Sequence, residues 1–478
     1  MLLFGKAQEA VGLDPHLTPA ISGRVLTALV YERLVYLNDK GEPTGELAEK
    51  WSQPDPTTYT FSIRKGVKFH NGRELKAADV KYSFERILDK ATASPWATQL
   101  APVQSIETSD DYTVTFKLKT SFGPFLNVLA FDWAAIVPQE AVKQYGDLTQ
   151  RMVGTGPFVL DEYVLNTRTV LKAFPQYWGT RPAVDGITFR IIPDEAARLA
   201  SLRTGEVQMA QLSDPLAVGM ASRTEGARVI SQPTTDYYMF AFNVRKKPFD
   251  DIRVRQAVAL AINRKAVMDT VVFGDAELVG VLPPTLGDWA TPISQLPYAK
   301  QDVAKAKTLL ADAGYPNGFA FTVLASPQYS QFPAIGLAMQ SQLKQIGVTL
   351  NVDPTEWGSF LSRWRARDFD SFISYQAAGS DPDDALYQNF RGGSSFNAVG
   401  LDDPKFNELL DKGRSTTDRS QRLAIYKDAQ LRADEVLPDI FLFTRTEYMG
   451  VRSNVQGFKL SPVATFTYRA LRTVWLQP

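Results

Sequence analysis

The chain predicts an α/β fold of at least two lobes, and three observations lead there. The first third reads as strands with apolar-polar alternation, the second half alternates helical and strand patterns, and well-marked turns separate them. No internal repeat, low-complexity tract or charge block interrupts the 478 residues. A chain of that length can bury several substantial cores.

The segment from Leu47 to Leu88 holds most of the local information. Tyr59, Phe61 and Ile63 alternate as a strand, and Arg64-Lys65-Gly66 makes a basic turn. Val67 and Phe69 suggest a second short strand before an Asn71-Gly72 turn. Val80, Phe84, Ile87 and Leu88 then fall on one face of a helix. Tyr112 to Leu118 is a half-buried strand, with Val114, Phe116 and Leu118 inward, and Gly156 to Leu160 is another.

In the second half Asp250 or Asp251 can cap a helix carrying Val254, Val258, Ala261 and Ile262. Asp302 can cap the next, with Val303, Ala306, Leu310 and Ala313 inward and Gly314 as the stop. A strand follows at Phe319 to Leu324, then a helix from Phe332 to Ile346 ended by Gly347. A strand at Val348 to Val352, a helix opening near Trp357 and a strand at Phe369 to Tyr375 complete the run.

Bulk chemistry excludes several classes of function. The 52 basic and 52 acidic residues cancel, which argues against a polyanionic partner or an anionic membrane surface. No apolar run approaches the roughly 20 residues that span a bilayer. The opening MLLFGKAQEA lacks a basic, long-apolar leader and reads as a mature protein with a start Met where a signal peptide was removed. With no cysteine there is no disulfide framework, thiolate metal site, Cys nucleophile or acylated N-terminal Cys, which suits an oxidising periplasm.

Several segments together resemble one family. Besides Leu47 to Leu88, these are Val153-Gly154-Thr155-Gly156-Pro157-Phe158, Gln176-Tyr177-Trp178-Gly179, Phe189 to Asp194, Leu202 to Val207, Phe242-Asn243, and Lys247 to Ala257. In colinear order over nearly the whole chain they resemble the extracellular solute-binding proteins of the peptide/nickel type, which capture solutes for ABC importers. The resemblance implies a two-lobed periplasmic-binding-protein fold with an extra domain. Domain I would comprise residues 1–31, 156–235 and 444–478, domain II residues 32–155, and domain III residues 236–443. Chain crossings are expected near Thr234 to Tyr237 and Leu442 to Arg445, with closure about this hinge enclosing a small-molecule ligand. The implied protein is a periplasmic monomer that docks on permease subunits of the importer, without inserting into the membrane, and uses no cofactor. The recurring motifs themselves read as scaffold: the glycines of GTGPF allow tight backbone geometry and FHNG makes a turn.

By the same resemblance, ligand contacts come from three places: the Thr18 to Ser22 loop with Ser22, the Ala93-Ser94-Pro95-Trp96 segment with Trp96, and the stretch from Glu356-Trp357 to Pro382. Thr234 at the crossing joins them. Peptide binders carry an acid for the ligand α-ammonium a few residues before the Asp-Pro-like turn. Here that position is Ala378, or Gly379 on a shifted count, and neither is acidic. A desolvated ammonium without a counter-ion is costly, so free-amine peptides fit poorly unless Asp381 or Glu356 substitutes. Arg363, Arg365 and Arg367 offer forks for carboxylates, although at i, i+2 and i+4 they cannot all face one way. Trp96, Trp357 and Trp364 offer flat faces, Tyr375 lies in the same stretch, and Gln376, Ser380 and Asp381 can hydrogen-bond hydroxyls. The favoured ligand is an anionic sugar–amino-acid conjugate of opine type without a free α-ammonium. Oligosaccharides, ordinary di- or oligopeptides and metal complexes remain alternatives.

Catalytic readings find little support. His16 and His70 sit inside scaffold motifs without paired metal spacing. Ser62-Ile63-Arg64-Lys65 matches SxxK but lies in a strand and turn, with no partner motif. Asp381-Pro382-Asp383-Asp384 starts like a calcium loop but lacks its Gly and Glu. A two-lobed carboxylate hydrolase is the distant alternative to a carrier.

Overall fold

The computed structural model describes residues 1–10, 12–18, 21–38, 41–394 and 396–477, and only the backbone of Ile21, Pro215, Ala464 and Thr465. The chain forms two compact units. One comprises Met1–Gln232 with Glu447–Pro478, the other Pro233–Thr446.

The first unit holds two principal cores. In one, the strand Leu2–Lys6 lies parallel to both Gly186–Ile191 and Met209–Leu212. The antiparallel strands Arg168–Ala173 and Phe158–Val164 extend the sheet beyond Gly186–Ile191. Phe4, Phe189, Met209 and Tyr468 are buried there together with Leu26 and Leu29 of the helix Ile21–Val30. The other core belongs to a four-stranded antiparallel sheet, ordered Ala48–Asp55, Thr58–Ile63, Thr113–Leu118, Val103–Asp110. Tyr59, Phe61 and Ile63 point inward, as alternation requires of a sheet with one solvated face. The helix Ala77–Leu88 adds Val80, Phe84 and Ile87 to the same core. Its first turn is held by Asp79, whose side chain accepts the Lys76 N–H at 2.9 Å.

Two expectations shift by a few residues. Val67 and Phe69 do not make a strand but a tight hairpin: Phe69 donates to the Arg73 carbonyl and Leu75 to the Val67 carbonyl around Asn71-Gly72, leaving one bridge, Lys68 to Glu74. The strand expected from Gly156 begins at Phe158, because the Gly156 N–H is already committed to the Val30 carbonyl at 2.9 Å. A side chain at Gly154 would collide with that same Val30 carbonyl, so GTGPF needs glycine for close approach of two backbones.

In the second unit Tyr237 to Phe242 forms a strand segment buried at every residue, antiparallel to Ser371–Gln376. Ala320–Leu324 is parallel to Ser371–Gln376 and to Thr349–Asp353. Burial of alternate residues on both faces follows from helices covering the sheet. Asp251 caps Ile252–Ala261 through the Arg253 N–H, and Asp302 caps Val303–Asp312 through the Lys305 N–H. The helix Gln331–Leu343 tightens into a 3₁₀ turn, Lys344–Ile346, and ends at Gly347 in the left-handed region. Phe240, Phe242, Phe249, Phe321 and Phe332 centre one core of this unit. No helix among the described residues is long and apolar enough to cross a membrane.

Candidate functional site

In the second unit the expected ligand-contact stretch assembles around aromatic rings. Glu356 caps the helix Trp357–Ala366 by accepting the Ser359 N–H, and the Gly358 backbone N–H, then that of Ser359, hold its carboxyl below the usual range. Trp357 stacks on Phe360 and meets Tyr329 edge-on at 5.2 Å, and Tyr329 in turn meets Tyr375 at 5.6 Å. Both Trp357 and Tyr375 are half-buried. Over the Tyr375 ring, 4.3 Å from its centre, lies the Arg445 guanidinium. Arg445 also pairs with Asp236 at 3.3 Å, and burial pushes the Asp236 carboxyl up against the opposing pull of Arg445. Thr234 donates to the Arg445 carbonyl and accepts at its own carbonyl from Thr285. Trp357, Tyr375 and Thr234 therefore connect through Tyr329 and Arg445, which the sequence reading did not single out. A usable signal existed: Asp236 and Arg445 are charges set within the strand runs Ala227–Phe242 and Asp439–Arg452.

Most of the remaining expected residues of this unit are engaged with other parts of the protein or buried. Arg363 pairs with Asp353 at 2.9 Å and donates to the Asp368 carbonyl. Arg367 is exposed and ends its helix in the left-handed region. Trp364 is half-buried against the core around Phe360 and Phe372. Gln376 is buried and donates to the Ala385 carbonyl at 2.8 Å. Ala378 is fully buried. Asp381 caps the helix Pro382–Phe390, and both its oxygens accept from Arg422, at 2.7 and 2.8 Å.

In the first unit Ser94 donates to the His16 carbonyl and so fixes the turn that presents Trp96. Trp96 stacks on Trp133 with rings 9° from parallel, and the Arg24 guanidinium sits 5.8 Å from its centre. Ser22 offers its carbonyl to the Lys6 ammonium at 2.6 Å. Burial lowers the Lys6 pKa to about 8, with Glu9 opposing. Pro19 and Ala20 of the expected loop lie outside the described residues. Behind Trp133 is a buried charge cluster. Arg33 bridges Glu46 and Asp132, and Arg472 reaches Glu32 and Glu46. Arg469 also pairs with Glu46, and Arg24 approaches Asp132 at 3.7 Å.

The two histidines have structural partners. His16 Nε2 donates to the Ala135 carbonyl while Nδ1 accepts from Arg86, a fixed neutral tautomer whose burial lowers its pKa to about 4. His70 bonds the Gly156 carbonyl and is likewise lowered to about 4 by burial. Among the described residues no group of three or more His, Cys, Asp or Glu is placed to hold a metal ion.

With this geometry in view, comparison with known proteins identifies similar chains. The model of the bacterial extracellular solute-binding proteins, family 5, matches residues 42–398. The dipeptide-binding protein of Escherichia coli K12 is 30% identical, over 97% of this chain and 92% of its own. Among solved structures, the PBP AgaA from A. tumefaciens R10 in complex with agropinic acid is 29% identical. It superposes with a TM-score of 0.82 over 100% of this chain and 99% of its own. The Helicobacter pylori periplasmic binding protein DppA in complex with the peptide STSA is 28% identical, TM-score 0.82, over 100% and 98%.

Proposed function

The chain belongs to the bacterial extracellular solute-binding proteins of family 5, substrate-binding proteins of ABC importers and not enzymes; from that premise we propose its ligand. The protein captures an anionic, peptide-like solute without a free α-ammonium, of the opine conjugate type. It acts as a periplasmic monomer, closes on the solute and delivers it to the permease subunits.

One observation carries the ligand class. The two acids available to replace the counter-ion missing at Ala378 are occupied. Asp381 gives both oxygens to Arg422, and Glu356 is spent on the first turn of its helix. An incoming ammonium at the Ala378 position meets no acid there and an Asp381 already paired with Arg422, and desolvating it unpaired costs several kcal/mol. The aromatic faces of Trp357 and Tyr375 suit ring and aliphatic parts of a conjugate. The similar structure that holds agropinic acid supports the same class.

Ordinary dipeptides are the second reading, favoured by the dipeptide-binding E. coli relative. Native mass spectrometry of the purified protein, then calorimetric titration with agropinic acid and with Met-Leu, separates the two. Agropinic acid is expected to bind and be recovered unchanged. Tight binding of Met-Leu alone overturns the ligand class, and recovery of a chemically altered probe overturns the carrier.

A further inference from the structure

We infer that Arg24 and the Trp96 indole N–H form an anion site in the first unit, built to take a carboxylate of the ligand. The inference deepens the proposed function and rests on it only for the molecule that bears the carboxylate.

Arg24 is 9% exposed, yet its Nε and Nη2 have no hydrogen-bond partner. The Trp96 Nε1 is buried and equally without one. Unpaired buried donors are rare in folded proteins, because each forgoes its bonds to water without replacement. Here three such donor atoms belong to two adjacent groups, the guanidinium lying 5.8 Å from the indole centre.

Charge bookkeeping in the surrounding cluster points the same way. Among the described residues, the guanidiniums of Arg24, Arg33, Arg469 and Arg472 pair with the carboxylates of Glu32, Glu46 and Asp132. Glu46 serves Arg33, Arg469 and Arg472, and Asp132 gives its Oδ1 to Arg33 at 2.8 Å. Asp132 Oδ2 stays 3.7 Å from Arg24 Nε, which orients the fork without bonding it. Four guanidiniums thus share three carboxylates, and the fork left without a hydrogen bond from any of them is that of Arg24, with Asp132 Oδ2 likewise unbonded. A guanidinium does not shed its proton in a protein, so an incoming anion is what balances it. A carboxylate accepting from Nη2 and from the indole N–H satisfies two of the three orphan donors at once, and Nε keeps its long contact with Asp132. Stacking on Trp133 fixes the indole so that its N–H stays directed.

The test uses acetate as the probe and needs no knowledge of the natural ligand. The full chain is labelled with 15N at its eight tryptophan indoles, and Trp96 is assigned from the Trp96→Phe variant. At constant ionic strength, acetate is expected to move the Trp96 indole resonance saturably, while neutral acetamide leaves it in place. Arg24→Gln should weaken the acetate effect at least roughly tenfold, since a charge-assisted bond is lost. Arg24→Lys, which keeps the charge without the fork, should fall between. Circular dichroism checks that each variant is folded. An unmoved Trp96 resonance, an equal response to acetamide, or an unchanged response in folded Arg24→Gln overturns the site. If acetate acts as expected but neither agropinic acid nor Met-Leu binds, the ligand class fails and the anion site stands. If a probe binds wild type and Arg24→Gln equally well, the anion site fails and the carrier stands.

Discussion

Two buried charge clusters, one in each unit, are imbalanced in opposite directions. The first unit holds the four arginines and three carboxylates around Glu46 and Asp132. The second holds Asp381, Asp383 and Asp384 against Arg422 and Arg414. Surplus acid has a remedy that surplus guanidinium lacks. Burial, then the charges of Asp381 and Asp383, push Asp384 up to about 8, so it keeps a proton and accepts the Ser380 and Asp381 N–H groups as a neutral acid. Asp383 is pushed up to about 6, chiefly by burial. Arg24 has no such escape, so its cluster remains open to an anion. A carboxylate-rich site can therefore be complete without a ligand where an arginine-rich one is not.

Removing Glu46 tests the first cluster most severely. Glu46→Ala leaves Arg33, Arg469 and Arg472 competing for Glu32 and Asp132. Breaking buried pairing of this kind is expected to cost about 3–5 kcal/mol, read from urea unfolding followed by circular dichroism. Arg422→Ala breaks the corresponding pair of the second cluster and strips Asp381 of both its charged donors. Its expected cost is about 3 kcal/mol, because Asp381 is left buried without its charged partner. A loss well under about 1 kcal/mol would show that this pair does not hold the second cluster together.

The Asp384 proton makes a third effect, spread over pH and with a defined sign. Its folded pKa of about 8 lies above the unfolded value, so the folded state binds more protons across that window. Stability from this group is greatest at low pH and falls by about 1.4 kcal/mol per unit as pH rises from roughly 5 to 8. Asp384→Asn should flatten that slope in a pH series of urea midpoints, and an unchanged slope would place the titration elsewhere. Smallest is Arg363→Ala, which loses a half-exposed pair with Asp353 and should shift stability by only about 0.5 kcal/mol. Arg367→Gly at the left-handed helix end should raise stability by about 0.5–1 kcal/mol, measured in the same unfolding experiment.

Features set by near neighbours were legible before the fold was known. The caps Asp251 and Asp302, the stop at Gly347 and the inward alternation of Tyr59, Phe61 and Ile63 each involve a few consecutive residues. So did the family, whose motifs are colinear. Within the candidate site, the sequence pointed to Trp357, Tyr375 and Trp96 but not to Tyr329, Arg445 or Arg24, which give them their surroundings.

What the sequence determined by itself was the α/β class, its capped helices and the absence of an acid at Ala378. Tertiary structure alone decided which charges are satisfied. Asp381 meets Arg422 across 41 positions, and Glu46 meets Arg472 across 426. Backbone propensity and side-chain periodicity act over one or two turns and are written in local order. Electrostatic pairing depends on distance and burial in space, so the same aspartate reads as a free hydroxyl-binding group in the sequence and as a consumed partner in the fold.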